Sequence, residues 1–147
     1  ACLVGSEMCI RDRPHTEIEK NQSYLKAPSG GPLVQHALPA LLTSYNRGKI
    51  TLEKLVQKAC HNPAILYDVK DRGFLREGYF ADLVVLDIDK LFEVVKDDLL
   101  YQCGWSPFEG TQFRGAVERT LLNGQWVYKQ GIVHSDSAAM ELTFDRT

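Results

Sequence analysis

Residues 60–87, CHNPAILYDVKDRGFLREGYFADLVVLD, contain the change from helical to extended sequence that decides the fold class. Near the start, Asn62 is a favourable N-cap and Pro63 suits the first helical position, which predicts a short helix over residues 64–67. Residues 82–87 form a short apolar run with β-branched side chains, which is typical of a strand. Gly73 and Gly78 bracket extended segments before that run. The sequence therefore predicts a helical part and a strand part that meet near residues 68–73.

Two helices are predicted on the N-terminal side of this stretch. Apolar side chains recur at helical spacing from Leu33 to about Arg47, and Gly48 is typical of the position just beyond a helix C-terminus. Pro39 lies inside this segment, which predicts either a kink or a later start, because proline lacks a backbone N–H. Thr51 is a favourable N-cap for a second helix. The apolar face of that second helix is predicted to contain Leu52, Leu55, Val56 and Ala59.

A β-hairpin is predicted on the C-terminal side. Residues 117–122 and 125–128 have strand-like composition and flank the dipeptide Asn123-Gly124. This dipeptide favours a type I′ turn, in which both central residues have positive φ. Gly131 predicts a further turn before Ile132 and Val133. Helices followed by strands indicate a mixed fold.

Length and composition limit the classes of protein that fit. The 147 residues suffice for one domain, whereas a complete (β/α)8 barrel needs about 250. A net charge of −2 gives no electrostatic reason to expect nucleic acid or an anionic membrane as a partner. Cys60 and Cys103 are not part of a C-x-x-C motif, and we expect reduced thiols and a cytoplasmic location.

Two motifs carry a family resemblance: PHTEIEK at residues 14–20 and APSGG at residues 27–31. Together they resemble the substrate-binding segment of dihydroorotases, which are zinc hydrolases of the amidohydrolase superfamily. In that family the first motif is part of the run D-H-A-P-H-T, whose Asp is a metal ligand and proton carrier. This Asp position falls on Arg11 here. The resemblance therefore implies the substrate side of an active site, with no catalytic residue and no metal ligand in this chain.

Later stretches extend the resemblance to about residues 14–131. Residues 60–87 resemble the passage of amidohydrolases from the last barrel helices into a small β-sandwich, and residues 103–131, CGWSPFEGTQFRGAVERTLLNGQWVYKQG, resemble the dihydroorotase C-terminus. The implied fold is α/β and incomplete. It comprises the end of a (β/α)8 barrel in residues 14–70 and strands of a composite β-sandwich, with a polar tail, in residues 71–147. Residues 1–13 resemble a translated sequencing adapter, and we expect them to be foreign.

The resemblance implies a small-molecule substrate that His15 contacts together with backbone groups at Ser29 and Gly30. The implied reaction is the reversible cyclisation of N-carbamoyl-L-aspartate to dihydroorotate in pyrimidine biosynthesis. Zinc is the implied cofactor of the full-length enzyme, with its ligands upstream of Pro14, so the chain alone is expected to be inactive. A homo-oligomer is compatible with this assignment.

Several alternatives remain open at this stage. An isolated loop histidine at position 15 is more often an exposed residue without a role, and the sequence assigns Glu17, Glu19 and Lys20 to an exposed charged turn rather than to acid–base catalysis. His36 and His61 are expected in core or surface positions, and Trp105, Phe108 and Phe113 in packing. Two other functions fit: a sister cyclic amidase such as allantoinase or dihydropyrimidinase, and a metal-free amidohydrolase-fold scaffold.

Overall fold

The computed structural model describes residues 15–28, 30–134 and 139–145. Arg11, Ser29 and segment 1–13 lie outside the described residues, and the expectations placed on them remain predictions. No helix in the described ranges is long and apolar enough to cross a membrane. The α-helices are α1 (Glu17–Lys20), α2 (Val34–Asn46), α3 (Leu52–Val56) and α4 (Asn62–Leu66). A π-helix (Gln57–His61) joins α3 to α4, and a 3-10 turn (Lys96–Asp98) follows the first strand. The strands are β1 (Leu83–Glu93), β2 (Gln112–Leu122), β3 (Gln125–Lys129) and β4 (Ile132–Val133).

Helix α2 has close to its predicted extent. Pro39 lies inside it and is buried, so the predicted alternative of a later helix start is wrong. At the C-terminal end, the backbone N–H of Gly48 donates to the Tyr45 carbonyl at 2.8 Å. This bond satisfies a carbonyl that the last turn leaves without a helical partner. The predicted glycine at the helix end is confirmed.

The segment after α2 is one continuous helical run. Thr51 caps α3 as predicted, because its side-chain oxygen accepts a hydrogen bond from the backbone N–H of Lys54 at 3.2 Å. Asn62 is not an N-cap, which corrects the prediction: its backbone is helical and its N–H donates to the Gln57 carbonyl, five residues back. The wider π turn accommodates Pro63, whose ring would clash with the carbonyl four positions back in a regular α-helix.

The predicted apolar face of this run is only partly buried. Leu55 is buried, whereas Val56 and Ala59 are exposed, contrary to the prediction. The π turn that begins at Gln57 widens the helix, so Ala59 leaves the face that a regular 3.6-residue period predicts. Val56 precedes this turn, and its exposure has no such cause.

The strands form an antiparallel sheet in the order β1-β2-β3-β4. Asn123 and Gly124 lie between β2 and β3 with φ of +51° and +80°, as the predicted type I′ turn requires. The predicted turn at Gly131 connects β3 to β4. Strand β1 continues beyond the predicted residues 82–87, because its pairing with β2 resumes after an irregularity and places Phe92 opposite Phe113.

Helix α2 packs directly against β2. Leu42 is fully buried there, and a Cβ added at Gly115 would lie 2.5 Å from the Leu42 Cβ, so only glycine allows this approach. The Thr43 hydroxyl donates to the Arg114 carbonyl at 3.2 Å and accepts from the Arg114 N–H at 2.9 Å. The helical and strand parts thus share one core, while the division into domains 14–70 and 71–147 stays a prediction.

Three polar residues connect the loop after α4 to the hairpin turn; we call Arg72, Asp82 and Asn123 the hairpin clamp. Arg72 is buried, forms an ion pair with Asp82 and donates to Asn123 Oδ1 at 2.7 Å. The second Asp82 oxygen accepts the backbone N–H of Asn123 at 2.8 Å. The guanidinium also lies over the Phe80 ring, 4.1 Å from its centroid. The buried charge is therefore both paired and hydrogen-bonded, as burial of a charge requires.

Candidate functional site

The predicted substrate-binding residues lie on a loop that contains α1 and precedes α2. Thr16 caps α1, and its backbone N–H donates to Glu19 Oε2 at 2.7 Å, which completes a capping box. Hydrogen bonds from the Thr16 backbone and side chain lower the pKa of the Glu19 carboxyl. Glu19 thus stabilises the local structure of the loop, and the absence of an acid–base role stays a prediction.

Lys20 connects α1 to the APSGG segment. Its Nζ donates to the Pro28 carbonyl at 2.6 Å and to the Gly30 carbonyl at 2.9 Å. The lysine is half-buried, so its assignment to an exposed charged turn is wrong in this respect. Lys20 therefore holds the backbone at Pro28 and Gly30, and Gly30 is one of the residues for which the sequence predicts substrate contact.

His15 lies at the start of the same loop with a partly exposed side chain. Its Nδ1 is 3.8 Å from Glu19 Oε2, a distance that supports an ion pair only when the imidazole is protonated. Its carbonyl accepts a hydrogen bond from Trp105 Nε1 at 2.6 Å. Gly30 has φ of +102°, a conformation that side chains rarely adopt. The structure brings His15 and Gly30 into one hydrogen-bonded loop through Lys20 and α1.

Trp105 supports this loop from the segment between β1 and β2. Besides the bond to His15, its Cη2 would lie 3.7 Å from a Cβ at Gly31, and Lys20 Nζ is 5.8 Å from the ring centroid. The sequence assigned Trp105 to packing and missed its polar contact with the loop. The sequence places Trp105 beside the S-P-F-E-G turn, which resembles the family. That resemblance does not show which distant residue the indole contacts.

The other predicted histidines have structural surroundings. His36 is buried among aromatic rings at centroid distances of 6.0–6.2 Å, and burial lowers the pKa of its imidazole. Phe108 and Phe113 are two of these rings, which confirms their predicted packing role. His61 stacks on Phe74 with a centroid distance of 4.4 Å. The core or surface placement predicted for both histidines is confirmed.

A cavity of about 590 Å³ lies between α2 and the sheet, and its lining includes His36, Phe92, Val94 and Asp98. None of its lining residues comes from the loop at residues 15–31, so this cavity is separate from the candidate site. Within the described residues there is no group of three or more His, Cys, Asp or Glu side chains that could hold a metal ion. The candidate site is therefore the loop that contains His15 and Gly30, and the contact of these residues with a substrate stays a prediction.

Comparison with known proteins places these features in one family. A model described as the amidohydrolase family matches residues 29–127. A dihydroorotase of Halobacterium salinarum is 41% identical over 97 residues, which are 66% of this chain and 23% of that protein. An allantoinase of Desulfitobacterium hafniense is 33% identical over 124 residues, 84% of this chain and 28% of that protein. The structure of an L-hydantoinase (dihydropyrimidinase) from Arthrobacter aurescens matches with a TM-score of 0.70 and 34% identity, covering 75% of this chain and 25% of that one. The chain thus spans about a quarter of the length of these proteins, and it belongs to the amidohydrolase family.

Proposed function

We propose that this chain is part of a dihydroorotase, a hydrolase that interconverts dihydroorotate and N-carbamoyl-L-aspartate. The observation that carries the proposal is the loop at residues 15–31, in which the PHTEIEK and APSGG motifs are hydrogen-bonded to each other through Lys20. Dihydroorotases are among the similar proteins, and their resemblance supports the same assignment. The cytoplasmic location and a homo-oligomeric state belong to this proposal.

The chain contributes substrate binding in this proposal. Dihydroorotate carries a ring carboxylate, and charge-assisted hydrogen bonds are the strongest contacts that a protein offers to such a group. In this proposal His15 donates from its partly exposed imidazole, and the backbone N–H of Gly30 donates from a residue whose carbonyl Lys20 holds. The role of Ser29 follows from the family resemblance alone. The remaining barrel and sandwich strands of the complete enzyme would enclose the substrate.

Zinc is the metal that the family resemblance implies. The described residues supply no cluster of metal ligands, and Arg11 occupies the position of the family's metal-binding Asp. The residues present do not fit a zinc site, so we assign no step of the reaction to a metal held by this chain. We propose that zinc binds to other parts of the complete enzyme and that the isolated chain has no hydrolase activity.

A cyclic amidase of the allantoinase or dihydropyrimidinase type is the second candidate. Its support is the similarity to an allantoinase at 33% identity and to an L-hydantoinase at 34% identity. The ring carboxylate distinguishes the two candidates, because dihydroorotate carries it and hydantoin does not.

The test is a substrate comparison on a complete enzyme that ends with residues 14–147. Its kcat/KM should be highest for dihydroorotate and N-carbamoyl-L-aspartate, and much lower for allantoin and hydantoin. Faster turnover of allantoin or hydantoin would favour the second candidate. An absence of turnover with all four substrates would favour a scaffold protein with the same fold.

A further inference from the structure

We propose that Lys20 and Trp105 are positioning residues, which hold His15 and the glycine loop (the described residues 27, 28, 30 and 31) in one fixed arrangement without touching the substrate themselves. The identity of the substrate rests on the proposed function. The arrangement itself rests on three hydrogen bonds, one cation–π contact and the approach of Trp105 to Gly31, which are independent of any reaction.

The ammonium group of Lys20 donates hydrogen bonds to backbone carbonyls. Two of its three N–H donors bond to Pro28 and Gly30 at 2.6 and 2.9 Å, and Nζ lies within cation–π distance of Trp105, 5.8 Å from the ring centroid. The ion pairs found among the described residues do not include Lys20. No carboxylate of the described residues therefore pairs with its charge, and the carbonyls of Pro28 and Gly30 lie beside a positive group.

The two accepted bonds orient peptide groups. The carbonyl of Gly30 and the N–H of Gly31 belong to one planar trans peptide, in which they point in opposite directions. Because Lys20 holds the Gly30 carbonyl, it also fixes the direction of that N–H, away from the ammonium. A positive charge behind the Gly30 carbonyl and the Gly31 N–H in front of it suit an anionic substrate group.

Trp105 sets the distance between the two ends of the loop. Its Nε1 donates to the His15 carbonyl at 2.6 Å, and Cη2 of the same rigid indole lies 3.7 Å from the position of a Cβ at Gly31. One rigid ring system thereby lies between His15 and the glycine loop. Phenylalanine at this position would keep most of the apolar contact but lose the hydrogen bond to His15.

The first experiment compares Lys20→Met and Lys20→Arg in a complete enzyme that ends with residues 14–147. Lys26→Met is the matched control, since Lys26 is exposed and precedes the glycine loop. Lys20→Met should raise KM for dihydroorotate at least tenfold with a smaller change in kcat, and should accelerate amide hydrogen exchange in residues 27–31. Lys20→Arg should show a smaller rise in KM and a smaller acceleration of exchange than Lys20→Met. Lys26→Met should change neither KM nor exchange. Wild-type KM and wild-type exchange in Lys20→Met would overturn the role of Lys20.

The second experiment tests Trp105 and separates this inference from the proposed function. Trp105→Phe should raise KM and accelerate exchange around residue 15, whereas Trp126→Phe, at a half-exposed position on β3, should not. Equal effects of the two variants would contradict the role of Trp105. If the wild-type enzyme fails to turn over dihydroorotate, the proposed function is wrong, and the exchange rates alone then decide whether Lys20 and Trp105 hold the loop.

Discussion

The contact between α2 and β2 and the loop at residues 15–31 are held together in opposite ways. At the contact between α2 and β2, Leu42 is 0% exposed and packs so closely against Gly115 that a Cβ would not fit. In the loop, α1 has no buried residue, and Tyr24 and Leu25 are more than 90% exposed. The loop depends instead on hydrogen bonds from Lys20 and Trp105. The core is thus specified by apolar burial and close fit, whereas the candidate site is specified by a few polar contacts.

The largest expected effect concerns the close fit at Gly115. Gly115→Ala should lower the free energy of unfolding by about 3 kcal/mol, since the new Cβ must displace α2 and also adopt a strained φ. Gly110→Ala is the matched control: it has φ of +74° and open space around it, so it incurs only the backbone strain, about 1 kcal/mol. Urea denaturation followed by circular dichroism measures both. Equal losses would show that the close fit contributes nothing.

The next effect tests whether polar contacts stabilise the core as well as the loop. Arg72→Met should destabilise by about 2–3 kcal/mol, because it leaves Asp82 and Asn123 without their guanidinium partner. Arg76→Met serves as the control, as Arg76 is exposed and contacts only aromatic rings in the described structure. The same denaturation measurement applies. A stability in Arg72→Met equal to that of the control would mean that the hairpin clamp is energetically neutral.

A third change separates function from stability in the loop. In a complete enzyme, His15→Ala should lower kcat/KM for dihydroorotate. The loss of transition-state stabilisation calculated from that ratio should equal one charge-assisted hydrogen bond, about 1.5–3 kcal/mol. Bound zinc and the unfolding midpoint should not change, since the His15 side chain is neither a proposed ligand nor part of the core. His134→Ala is the control. Loss of zinc in His15→Ala would make this residue a metal ligand, and unchanged kinetics would make it an ordinary loop histidine.

Removing one N-cap in each region allows a direct comparison of the loop with the rest of the chain. Thr51→Ala and Thr16→Ala each remove an N-cap, a change that costs about 1 kcal/mol of local stability. Thr51→Ala should lower the unfolding midpoint, because α3 carries the buried Leu55. Thr16→Ala should leave the midpoint unchanged and only accelerate hydrogen exchange in residues 16–21. A shift of the midpoint in Thr16→Ala would show that the loop unfolds together with the core.

The smallest effect is a pH dependence of the loop. Hydrogen bonds from Thr16 lower the folded-state pKa of Glu19 below its ordinary value. The stabilisation is therefore fully present above the unfolded-state pKa and is lost as the pH falls through the folded-state pKa. Side-chain NMR titration should show the lowered pKa of Glu19 in the wild type and a smaller lowering in Thr16→Ala, because alanine loses the hydroxyl but keeps the backbone N–H that is the larger cause. An ordinary Glu19 pKa in the wild type would mean that the capping box does not form.

Local sequence signals predicted the elements whose hydrogen bonds are local. The Asn123-Gly124 turn and the Thr51 cap depend on neighbouring residues and were predicted correctly. Asn62 was not, because the choice between a cap and a π turn depends on how the whole run from α3 to α4 packs. The contact from Trp105 to His15 joins residues 90 positions apart. No periodicity or turn preference encodes such a pair, so the supports of the candidate site could only be found in the structure.

The hairpin clamp has a consequence for the order in which this chain folds. The β2–β3 hairpin consists of neighbouring residues and belongs to a class of structure that forms in about 1–10 μs. The bond from Arg72 to Asn123 spans 51 positions, and it cannot form until the turn has placed the Asn123 side chain. We therefore expect a low φ-value at Arg72: its replacement should mainly accelerate unfolding and leave the refolding rate nearly unchanged. The contacts of the hairpin clamp are therefore expected to form after the transition state. They affect the unfolding rate more than the folding rate.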